Sequence, residues 1–147
     1  MTDSPTTLTG VPDELAGNAV LSTAGTLIER MGIRLDLSDP ARPTGTMPVA
    51  GNTQPYGLLH GGASVVLAET LGSVAAALAA GPGRIAVGVD INATHHRAVR
   101  GGAVTGRTEP LHVGRTTATY EVVVTDEAGR RACTARITCQ LRDAPPR

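Results

Sequence analysis

Periodicity divides the chain into a helical opening, a pair of extended pieces, one long apolar segment and an extended second half. From Asn18, a candidate N-cap, the residues Val20, Ala24, Leu27, Ile28 and Met31 fall on one helical stripe that stops at Gly32, predicting a short amphipathic helix. Ile33, Leu35 and Leu37 then alternate with polar residues, and a second strand is expected over residues 44–50, after the break between Pro40 and Pro43. Residues 51–59, with Asn52, Gln54, Pro55 and Gly57, read as a loop delivering the chain to His60. Residues 61–80 are apolar almost all round, as in a helix wrapped by protein on most sides. Beyond them everything reads as strand: Ile85, Val87, Val89 and Ile91 alternate as if on one face. Turns at Gly101-Gly102, Gly114 and Ala128-Gly129 then separate three more strands over residues 103–113, 115–126 and 130–142. Residues 1–17 show no period and read as a loose tail, residues 143–147 as a short second one, leaving a single domain over 18–142. This order predicts an α+β fold, an antiparallel sheet curved around one long helix.

Composition refines that picture in three places. The 147 residues include two tyrosines and no Phe or Trp, so the core must be aliphatic. Thirteen cationic residues, all Arg, balance thirteen acidic ones and are scattered, which argues against a nucleic-acid partner. Residues 61–80 approach the length of a membrane span, but they contain Glu69, Thr70, two serines and three glycines and lack basic or aromatic anchors, so a buried helix is expected and no membrane partner. The first residues lack the basic start and apolar run of a secretory signal, which points to the cytoplasm. Cys133 and Cys139 are six apart in one predicted strand, about 20 Å at ~3.3 Å per residue. That is too far for a bridge, and they read as small buried hydrophobes.

Glu69 is the only charge on the long helix. Burial of a carboxylate is costly unless it is paired or used, so Glu69 is either an acid–base group with a raised pKa or the partner of an arginine at a subunit seam. His60-Gly61-Gly62 at the helix start offers unpaired N–H groups and the positive end of the dipole, which suits an oxyanion or, alternatively, a flexible cap with a packed histidine. Gly61 and Glu69 are eight helical residues apart, about 12 Å at ~1.5 Å per residue, so one carbonyl carbon cannot meet both on one helix. A site using both requires two antiparallel copies, Gly61 of one opposite Glu69 of the other. Ser73, one turn after Glu69, could orient the carboxylate or a water, or be a small polar residue at a helix contact.

The run from Gln54 through His60-Gly61-Gly62 to Glu69 and Ser73 resembles the active-site segment of hotdog-fold thioesterases. The nearest groups are those acting on 1,4-dihydroxy-2-naphthoyl-CoA in menaquinone synthesis, the enterobactin proofreading thioesterases, and the 4-hydroxybenzoyl-CoA and phenylacetate-pathway enzymes. The segments Asn92 to Arg97, Pro110 to Arg115 and Asp126 to Arg130 are similar too, and the resemblance runs from about Gly32 to Leu141. It implies that Gln54 helps hold the thioester, that His60 and the Gly61 N–H, with Gly62 beside them, bind its carbonyl, and that Glu69 is the catalytic carboxylate with Ser73 its companion. It implies CoA contacts at His95 or His96, Arg97, Arg115 and Thr116; adjacent histidines in a strand point to opposite faces, so no metal chelate is suggested. It further implies a homo-oligomer with shared sites, paired through the strand at residues 85–98 and assembled to a tetramer. The substrate would be an acyl-CoA, CoA belonging to the substrate with no separate cofactor.

The expected reaction is acyl-CoA plus water giving acid plus CoA, with Glu69 as nucleophile or as base. Among acyl groups the aromatic dihydroxynaphthoyl comes first, because Val74, with Ala76 and Ala77, offers small residues beside the site and resembles the menaquinone branch, where a Met is expected in the enterobactin branch. The alternatives are release of aroyl groups from a carrier protein and a non-catalytic acyl-CoA-binding protein. A hotdog dehydratase would need a His and an acid at another spacing. An acyl-CoA sensor would normally carry a DNA-binding helix pair, for which no segment is available.

Overall fold

The computed structural model describes residues 7–15 and 18–145. Its elements are β1 (Leu8–Thr9), α1 (Leu27–Arg30), β2 (Arg34–Asp36), β3 (Thr44–Pro48), α2 (Gly61–Ala80), β4 (Arg84–His95), β5 (Ala103–Val113), β6 (Thr117–Thr125) and β7 (Arg131–Asp143). They form one seven-stranded sheet in the order β1-β2-β3-β5-β6-β7-β4, antiparallel except where β1 joins β2. α2 lies across the sheet's concave face, the arrangement of a hotdog fold. Its bounds coincide with the apolar run, His60 capping its start and Gly81, at φ 79°, ending it.

The core is the aliphatic layer that the lack of large aromatics demands. Ala118, Tyr120, Val122 and Val124 of β6 and Cys133, Ala135, Ile137, Cys139 and Leu141 of β7 alternate inward, and Leu67, Leu71, Val74 and Ala75 of α2 meet them. Close approach depends on glycine: a Cβ at Gly72 would run into the Ile137 Cγ2 methyl, and one at Gly106 would lie 2.5 Å from Leu71 Cδ1. Tyr120 is 1% exposed and Tyr56, in the loop before α2, is 86% exposed. The membrane-length helix is thus the buried core helix.

Three expectations are corrected. The stripe from Val20 to Met31 does not make one helix: a 3₁₀ turn (Ala19–Leu21), capped by the Asn18 side chain, is separated from the single turn of α1 by Ser22-Thr23-Ala24-Gly25-Thr26. Gly25 takes φ 73° there and Thr26 Oγ1 donates to the Thr23 carbonyl, so local bonding of weak helix formers wins over continued helix. Part of the predicted loose tail is ordered into the sheet. Leu8 pairs with Leu35, and the Leu35 and Leu37 N–H groups donate to the Thr7 and Thr9 carbonyls at 2.7 and 2.9 Å; residues 1–6 and 16–17 lie outside the described residues, as do 146–147, and β7 runs on to Asp143.

The third correction concerns β4. Gly88 pairs with Cys139 and Asp90 with Thr138, leaving Val89 as the extra residue of a β-bulge. Ile85, Val87 and Val89 therefore do not share a face with Ile91. Ala86 and Gly88 before the bulge, and Ile91, Ala93 and His95 after it, pair with inward β7 residues or pack on the core, while Val89 is 60% exposed. β4 forms one free edge of the sheet.

Candidate active site

The N-terminus of α2 is assembled from four chain segments. The loop ahead of it is pinned by Asn52, whose side-chain amide donates to the Met31 and Pro48 carbonyls at 2.9 and 2.8 Å and whose carbonyl accepts from the His60 N–H at 2.9 Å. Within the loop, Gln54 Oε1 accepts from the Tyr56 N–H at 2.6 Å, and the Leu59 N–H reaches the Val99 carbonyl at 2.8 Å. His60 Nδ1 accepts from the Gly62 N–H at 2.8 Å, which places its ring proton on Nε2. The Ala63 and Ser64 N–H groups donate to the His60 carbonyl, so Gly61 carries the first-turn N–H left for a ligand oxygen. The Gly62 N–H, expected to face substrate, serves the cap instead. His95 from β4 packs against this turn: a Cβ on Gly61 would stand 2.9 Å from its Nε2.

A cavity of about 370 Å³ opens here, lined by Gln54, Gly61, Ser64, His95, His96 and Arg97 among others. His96 Nε2 is 2.9 Å from Thr134 Oγ1, and the N–H groups of His96 and Arg97 both donate to the Ala132 carbonyl, which fixes the strand end.

Glu69 and Ser73 lie two to three turns further along α2, away from that cavity. The Glu69 carboxylate stands over β4, where a Cβ on Gly88 would be 2.6 Å from its Oε1. Burial pushes its pKa up, and this is the sole influence resolved on it; no arginine pairs with it among the described residues. Cys139, directly opposite Gly88 on β7, lies beneath both side chains. Its thiol is pushed up first by burial and also by the Glu69 charge, with the Ser73 hydroxyl pulling the other way.

Not all the expected residues gather. Arg115 and Thr116 sit in the β5–β6 turn, where their carbonyls accept from Arg84 Nη2 and the Leu141 N–H at 2.8 Å each. That is the opposite end of β4 from His95, separated in one chain by about 26 Å at ~3.3 Å per residue from Val87 onward. Val74, expected beside an open acyl space, is 3% exposed and belongs to the main core cluster. Sequence reading missed Asn52, Gly88 and Cys139 as parts of the site. Asn52 carried a signal as a polar residue in a short turn-rich loop, and Gly88 as an isolated glycine in a strand run, which marks a bulge or a close approach.

Residues 56–133 match the model of the thioesterase superfamily. The proofreading thioesterase EntH of Cronobacter turicensis is 49% identical over 118 residues, 80% of this chain and 86% of the relative. A crystal structure of a mutant of thioesterase PA1618 from Pseudomonas aeruginosa superposes with a TM-score of 0.80 at 38% identity, covering 84% of this chain and 90% of that one. The hypothetical protein SAV0944 of Staphylococcus aureus, crystallised with a glutamate changed to alanine, does so at 0.77 and 28% identity, covering 80% and 99%. The chain belongs to the thioesterase superfamily and is a hotdog-fold thioester hydrolase.

Proposed function

We propose that this enzyme clears acyl groups, aromatic ones foremost, from the phosphopantetheine thiol of a carrier protein, with acyl-CoAs as a second source of the same thioester. The observation that carries this reading is near-half identity, across most of both chains, to three relatives named proofreading thioesterases. Val74, one of the reasons for expecting dihydroxynaphthoyl-CoA first, is a buried core residue and gives no contact to an acyl group.

The chemistry follows from the two ends of α2's exposed face. The thioester oxygen accepts from the Gly61 N–H and His60 Nε2–H, where the helix dipole favours the negative charge that develops on attack. Gln54 holds the thioester from the loop. Glu69 either attacks the carbonyl carbon, forming an anhydride that water opens, or removes a proton from the attacking water; the thiol leaves still attached to the carrier's phosphopantetheine arm, or as CoA. A desolvated carboxylate with no ion-pair partner among the described residues suits either role. In two structures of the Staphylococcus aureus protein, a glutamine and a glutamate fifteen positions apart are separately replaced by alanine, the same spacing as Gln54 and Glu69. The ~12 Å between Gly61 and Glu69 on one helix calls for a partner copy. The free edge of β4 offers the place to pair, and the resemblance extends the assembly to a tetramer.

The test is to offer one aroyl group on a carrier protein and on CoA and to compare kcat/KM. The carrier-bound thioester should be hydrolysed faster; a preference of about tenfold or more for CoA, ~1.4 kcal/mol in transition-state terms, overturns the assignment. Glu69→Gln should lower hydrolysis by at least about 10²-fold with binding kept, and full activity in that variant would overturn Glu69 as the catalytic carboxylate.

A further inference from the structure

We infer that Gly88, together with the β-bulge beside it, seats the Glu69 carboxylate, making Gly88 a positioning residue for hydrolysis. The inference rests on Glu69 being the catalytic carboxylate.

The first observation is steric. A Cβ at Gly88 would stand 2.6 Å from Glu69 Oε1 and 3.7 Å from its Cδ, so any side chain there would take the carboxylate's place. The second is conformational. Gly88 is not among the glycines with positive φ, so its backbone could be adopted by any residue. Glycine inside a strand forfeits packing and entropy, and where the backbone does not demand it, the missing side chain is the property in use. Directly across the ladder stands Cys139, small and buried, which leaves the floor under Glu69 low on both strands.

The third observation concerns register. Gly88 and His95 are seven residues apart, and in a regular strand they would point to opposite faces. Here both meet α2, Gly88 beneath Glu69 and His95 against Gly61. The extra residue Val89 makes this possible by shifting the alternation by one. One bulge therefore sets both ends of the helix's functional face onto the same strand, and it falls immediately after the glycine on which the carboxylate rests.

The clashing atom is the carboxylate oxygen at the far end of the flexible Glu69 side chain on α2, so Gly88→Ala should fold, with Glu69 swung out of place. A misplacement of about 1 Å can cost on the order of 10²-fold, so kcat should fall by at least about tenfold with KM little changed. Gly101→Ala, at a glycine with ordinary φ and no atom within 4 Å, is the control and should leave kcat intact.

The decisive measurement places Gly88→Ala in the Glu69→Gln background. If Gly88 acts through Glu69, the second change should lower the residual rate no further. Should Gly88→Ala fold poorly, Gly88→Ser with activity counted per folded molecule answers the same question. A wild-type kcat in Gly88→Ala, or a full additional loss in the double variant, overturns the inference. Retained hydrolysis in Glu69→Gln alone would instead overturn the functional assignment beneath it.

Discussion

Replacing Gly72 by Ala sets two effects of opposite sign against each other. Ala in a helix interior is favoured over Gly by about 0.5–1 kcal/mol, so an unpacked α2 would gain stability. In the folded protein the new Cβ would overlap the Ile137 Cγ2 methyl, with Ile137 Cβ 3.5 Å and Cδ1 3.8 Å away. Ile137 is fully buried, β-branched and held in β7 between Tyr120 of β6 and Ile91 of β4. Its stiff χ1 gives no easy exit, and relief must come from lifting the helix. Overpacking of this kind costs about 1–3 kcal/mol, so the net effect should be a loss of about 1–2 kcal/mol. For a domain near this size each kcal/mol is worth roughly 2–4 °C, which gives a fall of about 2–8 °C in Tm. Circular dichroism melts and urea titration with an unchanged m-value would measure it. Ile137→Val keeps Cγ2 and should not relieve the clash, whereas Ile137→Ala removes it and should show a coupling of at least about 0.5 kcal/mol with Gly72→Ala. A Tm that rises in Gly72→Ala would refute the close helix–sheet contact.

Three further outcomes follow from burial. Because desolvation raises the Glu69 pKa in the folded state, the folded protein holds that proton more tightly than the unfolded chain, and stability falls as pH rises from the ordinary glutamate value through the raised one. Glu69→Gln should therefore melt above wild type at neutral pH, with the gap closing below about pH 4; no gap at neutral pH would contradict a desolvated carboxylate. Val74→Met should cost about 1–3 kcal/mol by overpacking; an altered acyl ranking with no loss of Tm would put Val74 at the acyl pocket after all. Cys133 and Cys139, both buried with thiol pKa values pushed up by burial, should resist a disulfide reagent in the native protein and react together after denaturation.

The helix over Gly61–Ala80 was legible because its length, its apolar composition and the glycines at its start agreed, and the second half was legible as strands because turn glycines divide it. The N-terminal stripe misled because five apolar residues at helical spacing do not outweigh Ser22, Thr23, Gly25 and Thr26, which bond locally instead. β1 went unread since two residues carry no period, and they become a strand only through the partner Leu35 supplies. The bulge at Val89 is a property of how β4 pairs with β7, so alternation within β4 alone pointed to the wrong face. At the site, Glu69 and His60-Gly61 stood out by charge and by glycine at a helix start. Cys139 looks ordinary in sequence, and the strand glycine Gly88 signals a bulge or close approach without saying to what; both acquire their meaning by lying under Glu69. Val74 was misplaced because a helix apolar on every side does not reveal which of its residues the core covers.

The two tyrosines also make the protein its own spectroscopic instrument. With no Trp to dominate, ultraviolet emission comes from Tyr120, sealed between β5 and β7, and from Tyr56, standing in solvent on the loop whose Gln54 carboxamide holds its N–H. Solvent quenchers should reach Tyr56 and spare Tyr120, so the quenchable part of the emission reports events on the Gln54 loop while the protected part reports the integrity of the core. Occupation of the Gln54 loop and unfolding of the sheet can thus be followed in one cuvette, without a label, as two separate signals.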